Sequence, residues 1–275
     1  MTNRKIRMIC MDLDGTLLKK DGSLHPENGA MIREAQRRGV LCVIASGRAT
    51  GNALAKIWQA GLVCPVSAMN GTQLTDETGR VIASHPMSAE AAVGVERVLA
   101  AGKADYVLMG EKRISTSRED FYHHSELEYG PEMMEMGYVF LKGREKLRLE
   151  AEKGPVYKYY VCHMEDPERL SDRVAAVGGV TLTRSGRDNL EIMTAGCDKG
   201  TGIGELAALR GIGREEIMAA GDEMNDLPMI RYAGWGVAMG NADARVKAAA
   251  SFVTASNEEA GVAEAIRLLI GEGRL

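Results

Sequence analysis

The sequence predicts an α/β chain with a parallel-sheet core that carries an inserted α/β domain. Three observations support this. Short, continuous runs of β-forming apolar residues alternate with amphipathic helical patterns in both halves of the chain; strands apolar on both faces belong to parallel sheets covered by helices. The alternation breaks off near residue 84 and resumes near residue 190. Polar residues, several of them acidic, stand at the C-terminal ends of the core runs, where an open parallel sheet binds its ligands.

The first strand is expected over Lys5–Met11 (KIRMICM). A helix follows from Pro26 to Arg38, with proline suited to its first turn and Gly39 to its stop. VLCVIAS (Val40–Ser46) reads as the second strand and TGNALAKIWQAG as a helix ending at Gly61. PVSAM (Pro65–Met69) reads as the third strand. TQLTDETGRVIAS (Thr72–Ser84) has two β-rich arms about Thr78-Gly79, the pattern of a hairpin. Residues 85–189 are more polar and mix helical patterns (SAEAAVGVERVLAAG, DPERLSDRVAAVGG) with strand patterns (YVLMG, VYKYYVCH). They are expected to form a domain inserted into a discontinuous core of residues 1–84 and 190–275. LEIM (Leu190–Met193) is expected to return the chain to the parallel sheet. A helix to Arg210, the strands EIMAAGD, GVAM and SFVTA with helices between them, and a terminal helix over Glu258–Ile270 complete it.

Composition narrows the function. The chain has 275 residues, 45% of them hydrophobic, enough for a sizeable core. With 34 basic and 38 acidic residues the net charge is −4, which argues against nucleic acid or an anionic membrane surface as partner. Five cysteines, scattered and without metal-ligand spacing, read as reduced thiols. The N-terminus is too polar for a signal peptide, and no run approaches the ~20 apolar residues of a membrane span. The expected location is the cytoplasm.

Asp12 and Asp14 close the first strand. With a two-residue period they tend to point the same way, and without a counter-charge one of them would take up a proton. A divalent cation resolves the conflict, and Mg²⁺ favours such hard oxygen donors. Asp222 and Asp226 would add negative charge. A solvated turn is the alternative for an isolated Asp-x-Asp-Gly. An EF-hand is excluded, because Gly15 stands at loop position four instead of six.

Four segments together carry a resemblance. DLDGT (Asp12–Thr16), SGR (Ser46–Arg48), DKG (Asp198–Gly200) and GDEMND (Gly221–Asp226) resemble, in order and approximate spacing, the four motifs of the haloacid dehalogenase superfamily of phosphatases. The insert falls between the second and third motifs. That position is similar to the type IIB cap of the Cof-like subfamily, which also carries an Asn-Gly after the third strand, as Asn70-Gly71 does here. The resemblance implies a Rossmann-like parallel-sheet core with an inserted α/β cap. It implies a Mg²⁺-dependent phosphomonoester hydrolase that forms an aspartyl-phosphate and acts on a small soluble metabolite, such as a sugar phosphate.

The same resemblance implies residue roles. Asp12 would be the nucleophile and Asp14 the general acid/base, its backbone carbonyl also on the metal; Thr16 would brace the loop. Ser46, the backbone N–H groups of Leu13 and Gly47, and Asn225 would contact phosphate, and Lys199 would clamp both Asp12 and phosphate. Asp12, Asp14, Asp222 and Asp226 form the metal set, with Asp226 acting through water. Arg48, Asn70, Arg184 and Arg187 are candidate substrate contacts; an ion pair to a core acid is the alternative for Arg48, and a solvated turn for the last two. A phosphomutase using the same chemistry and a non-catalytic phosphometabolite-binding module are the competing functions. The presence of Asp12, Asp14, Lys199 and Asp222 weighs against the second. KGTGIGE (Lys199–Glu205) lacks the G-x-G-x-x-G spacing of a dinucleotide loop, so its glycines are read as helix-packing positions. His123-His124 is read as solvated rather than as a metal site.

Overall fold

The structure is a computed structural model, and it describes residues 4–120, 133–186 and 188–275. The chain divides into two compact units, Met1–Ala83 with Asp198–Leu275, and Ser84–Cys197.

The first unit contains β1 (Met8–Met11), α1 (Pro26–Arg37), β2 (Leu41–Ala45), α2 (Thr50–Gln59), β3 (Val66–Ala68), β4 (Gln73–Thr75) and β5 (Val81–Ser84). After the second unit it continues with α6 (Lys199–Leu209), β12 (Ile217–Gly221), α7 (Leu227–Tyr232), β13 (Trp235–Ala238), α8 (Ala244–Ala249), β14 (Phe252–Val253) and α9 (Gly261–Gly271). The sheet runs β14-β13-β12-β1-β2-β3-β4-β5. The strands from β14 to β3 pair in parallel, with Met8 opposite Leu41 on one side and Ile217 on the other, and β4 pairs antiparallel to β3. Burial on both faces explains the unbroken apolar runs of β1 and β12. On one face Met8, Cys10, Val43 and Ala219 pack with Ile203 and Leu206 of α6 and Met229 of α7.

The glycines of KGTGIGE do pack closely. A Cβ on Gly202 would lie 2.3 Å from Ser67 Oγ and 2.6 Å from Gly71 Cα, and one on Gly200 would lie 2.7 Å from the Pro228 carbonyl oxygen. Glycine therefore lets α6 approach β3 and α7 closely enough to place Lys199 at the sheet's C-terminal edge.

The second unit contains α3 (Ala89–Ala101), β6 (Asp105–Gly110), β7 (Arg113–Thr116), β8 (Val139–Lys142), α4 (Arg144–Lys153), β9 (Val156–His163), α5 (Pro167–Ala175), β10 (Val180–Thr183) and β11 (Leu190–Thr194). Among the described residues its sheet runs β10-β11-β9-β6-β7-β8, with only the β7–β8 pair parallel. Helix residues Val95, Leu99, Leu147 and Leu170 pack on Tyr106, Tyr159, Val161 and Ile192.

One expectation is corrected here. LEIM does not return to the parallel sheet; β11 pairs antiparallel with β9 and β10, and the first unit resumes at Asp198 instead of residue 190. The reason lies in its alternation. Leu190 and Ile192 face the apolar cluster, while Glu191 forms a buried ion pair with Lys158 at 3.2 Å. The face opposite Leu190 and Ile192 thus carries a charge whose partner, Lys158, lies on the neighbouring strand β9, which ties β11 to the second sheet. Among the described residues, no helix is long and apolar enough to cross a membrane.

Candidate active site

The loops that leave β1, β2, β3, β12 and β13 all lie at the C-terminal ends of parallel strands. Asp12 follows β1 directly and is 6% exposed. Lys199 is the first residue of α6, whose start is fixed by a reciprocal cap. The Asp198 carboxylate accepts the Thr201 amide at 2.7 Å, and the Thr201 hydroxyl accepts the Asp198 amide at 2.9 Å. From there the Lys199 ammonium, 1% exposed, donates to Asp12 Oδ1 at 2.5 Å and Asp226 Oδ1 at 2.6 Å. The remaining oxygen of Asp226 accepts the amides of Asp222 and Glu223 at 2.8 and 2.9 Å. Both Asp226 oxygens are thus engaged by the chain itself, and this residue shapes the loop that presents Asp222.

Asp222 is held from two sides. Its Oδ1 accepts the Thr16 hydroxyl at 2.9 Å, and its Oδ2 accepts the Asn241 amide at 3.3 Å. Gly15 must be glycine at this point: its φ is +78°, and a Cβ would fall 2.3 Å from Asp222 Oδ2. Asp12, Asp222 and Asp226 each offer a carboxylate oxygen, all within 4.8 Å of one another and all buried.

Three carboxylates and one ammonium leave an excess of buried negative charge. Burial pushes the Asp12 carboxyl well above the usual range; Lys199 opposes this, and Asp226 and Asp222 add to it. Burial, then the Asp226 charge, push Asp222 up to about 7. Burial works against a charged Lys199, but Asp12 and Asp226 outweigh it and hold the ammonium protonated well above its ordinary value. The missing positive charge and the all-oxygen donor set fit a hard divalent cation.

A pH dependence follows. With its folded pKa raised to about 7, Asp222 keeps a proton that the unfolded chain loses near pH ~4. Its contribution to stability in cation-free protein is full below that unfolded value and is lost as pH rises to about 7. Cation binding must displace the proton. The gain in melting temperature from a fixed concentration of divalent salt over chelator should therefore be larger at pH ~8 than at pH ~6. An equal or smaller gain at the higher pH would contradict this assignment of the proton.

Asp14 stands apart from the three acids. Its side chain is 55% exposed and pairs bidentately with Arg48, Nε to Oδ2 at 2.7 Å and Nη2 to Oδ1 at 2.8 Å. Burial raises its pKa, but the hydrogen bonds and charge of Arg48 outweigh that and hold the carboxyl below its usual range. The ion-pair alternative for Arg48 is the one the structure shows.

The backbone under Arg48 is set by an uncommon turn. Met69, Asn70 and Gly71 all have positive φ, at +48°, +55° and +89°. For the two non-glycine residues this costs on the order of 1–3 kcal/mol each. In return the Met69 amide donates to the Arg48 carbonyl and the Asn70 amide to the Ser46 carbonyl, both at 3.0 Å. The buried Asn70 side chain accepts from Asn225 Nδ2 at 3.4 Å. The Ser46 hydroxyl accepts the Arg48 amide at 3.1 Å, with Gly47 half-buried between them. The Leu13 side chain is buried, and its carbonyl accepts the amides of Leu17 and Leu18.

In the second unit, Arg184 Nη1 donates to the Asn189 carbonyl at 3.0 Å and closes the loop between β10 and β11. Arg187, His123 and His124 lie outside the described residues. Asn241, which follows β13, did not figure among the sequence candidates. The rule that sites gather at strand C-termini would have found it.

A family model described as haloacid dehalogenase-like hydrolase matches residues 9–266. The phosphatase YwpJ of Bacillus subtilis is 28% identical over 96% of this chain and 100% of its own length. The 5-amino-6-(5-phospho-D-ribitylamino)uracil phosphatase YwtE of the same organism is 29% identical, covering 97% and 99%. The structure of a B. subtilis haloacid dehalogenase-like hydrolase superposes with a TM-score of 0.85 at 26% identity, covering 96% and 100%. The family model spans most of the chain, and the chain belongs to the haloacid dehalogenase-like hydrolases, as an enzyme of the phosphatase kind.

Proposed function

We propose that the chain is a Mg²⁺-dependent phosphomonoester hydrolase that works through a phosphoryl group on Asp12 and acts on a small metabolite, with a sugar phosphate as the leading class. The observation that carries the reading is the Lys199 ammonium, buried between Asp12 and Asp226 with Asp222 close by. The name of the relative YwtE, a phosphatase of a phosphorylated ribityl compound, supports a small phosphate ester. The second unit is proposed as the cap that selects among such esters.

Lys199 opposes the protonation of Asp12 that burial favours, a bound cation would add to that, and the ammonium offsets charge that develops on the phosphoryl oxygens. An oxygen of Asp12 attacks phosphorus, the bond from phosphorus to the ester oxygen breaks, and the alkoxide takes a proton from Asp14. Water then gives a proton to the Asp14 carboxylate and attacks phosphorus. The bond to Asp12 breaks, and phosphate and the free carboxylate are restored. Arg48 holds Asp14 in the base form that the second half requires; proton donation in the first half requires the guanidinium to release it. Asp12 and Asp222 would hold Mg²⁺, which supplies electrostatic stabilisation of the transferring group. Ser46 and Asn225 are proposed phosphate contacts, and Arg48 and Asn70 proposed substrate contacts.

The test is release of inorganic phosphate from sugar phosphates, nucleotides, pyridoxal phosphate and an aryl phosphate, with Mg²⁺ and with chelator. Mg²⁺-dependent release from at least one small ester is the expected result. Isomerised sugar phosphate without free phosphate would replace hydrolase by mutase. Cation binding with no turnover of any ester would favour a binding module.

A further inference from the structure

Asn241 lies three residues beyond β13, in a loop whose backbone is tied down on both sides. The Met239 amide donates to the Gly221 carbonyl at 3.0 Å and the Asp243 amide to the Asp222 carbonyl at 2.9 Å. Its side chain makes three further bonds. Nδ2 donates to the Gly15 carbonyl at 2.8 Å and to Asp222 Oδ2 at 3.3 Å, and Oδ1 accepts the Asn257 amide at 3.1 Å. The amide orientation is therefore decided by its partners. Reversal would set an oxygen against two oxygens and an NH₂ against an N–H.

The two hydrogens of that NH₂ form a fork. One prong holds the backbone beside Asp14, and the other holds the carboxylate of Asp222. Thr16 holds the opposite oxygen of the same carboxylate at 2.9 Å. Each Asp222 oxygen then spends one lone-pair direction on a fixed donor and keeps another for a cation. Behind the fork, Asn257 Nδ2 donates to the Leu18 carbonyl at 2.9 Å, so the loop after β1 is tied at both Gly15 and Leu18. The two prongs from Asn241, to Gly15 and to Asp222, set the separation between the loop bearing Asp12 and the loop bearing Asp222, while the Asn257 bond anchors only the far end of the β1 loop. Neither residue can adjust that separation alone.

We propose that Asn241 is a positioning residue for divalent-cation binding, setting the orientation of Asp222 and its distance from the β1 loop. The inference rests on the cation reading above. Partners that orient a ligating carboxylate typically affect metal affinity by about 10–100-fold. Asn241 is itself exposed, so truncation opens no cavity in the core.

The experiment is calorimetric titration of chelator-stripped full-length protein with MgCl₂ and MnCl₂, for wild type, Asn241→Ala and Asn257→Ala, with thermal melts of each in chelator. Asn241→Ala should bind both cations roughly 10–100-fold more weakly, with its melting temperature in chelator close to wild type. The metal concentration for half-maximal phosphate release should rise by the same factor while the substrate KM stays fixed. Asn257→Ala keeps the backbone N–H that Asn241 uses. It should lower the melting temperature and leave affinity within about twofold of wild type. If Asn241→Ala does not fold, Asn241→Ser, whose shorter side chain cannot span both acceptors, replaces it. Affinity within about twofold of wild type in the folded Asn241 variant would overturn the assignment. Wild-type protein that takes up neither cation would overturn the cation reading and this inference with it.

Discussion

Replacing Asp12 by asparagine should lower phosphate release by roughly four orders of magnitude or more and leave the fold intact. The substitution keeps the shape of the side chain and removes the oxygen nucleophile. Lys199 retains its second partner, Asp226, at 2.6 Å, so the ammonium is not stranded. The variant also removes a carboxyl whose charged form is disfavoured, first by burial and then by Asp226 and Asp222. Its melting temperature in chelator should therefore equal or exceed that of wild type, even as activity disappears. Paired assays of phosphate release and thermal unfolding separate the two effects. Activity within tenfold of wild type would move the attack on phosphorus from Asp12 to another group, with water the simplest candidate.

The parts of the site that sequence reasoning reaches are those tied to strand ends. Asp12 and Asp222 each stand at or just past the last residue of a fully buried strand, and a carboxylate there contradicts the apolar pattern so sharply that it demands a reason. Lys199 is legible through the resemblance of DKG to a family motif; the structure adds that it opens a helix directly after an N-capping aspartate. What the sequence leaves open is where side chains turn once a loop begins. Arg48 meets Asp14 because Met69 and Asn70 adopt left-handed backbone and bind the loop from below, a conformation that no local preference of methionine predicts. Asp226 reads as one more acid in GDEMND. Only its geometry shows both oxygens already bonded within the chain. The strand β11 misleads because four residues of LEIM suit either sheet, and the partner of Glu191, Lys158, is remote in sequence.

The second large effect concerns Lys199. Lys199→Met keeps the length and apolar stem of the side chain and removes the ammonium. Asp12 and Asp226 would then face each other across a buried space with no counter-charge, and Asp222 stands within the same 4.8 Å cluster. Breaking a buried ion pair by removing one partner costs about 3–5 kcal/mol, far more than the net worth of the intact pair. The loss should depend on pH in a definite direction. Without Lys199 the Asp12 and Asp222 carboxyls rise further above their unfolded values, so protonation relieves the repulsion at low pH, and the destabilisation relative to wild type should grow from pH ~5.5 to pH ~8. Divalent salt should recover part of it by mass action. Combining Lys199→Met with Asp12→Asn should cost less than Lys199→Met alone, because the second change removes one of the stranded acids. Thermal melts of the two single variants and the double variant, in chelator and in MgCl₂, give all of these comparisons. A loss below about 1 kcal/mol for Lys199→Met in chelator at the higher pH would show that the acids are already protonated beside the lysine. The ammonium would then serve chemistry alone, and the frame of the site would rest on the backbone bonds to Asp226 and the fork of Asn241.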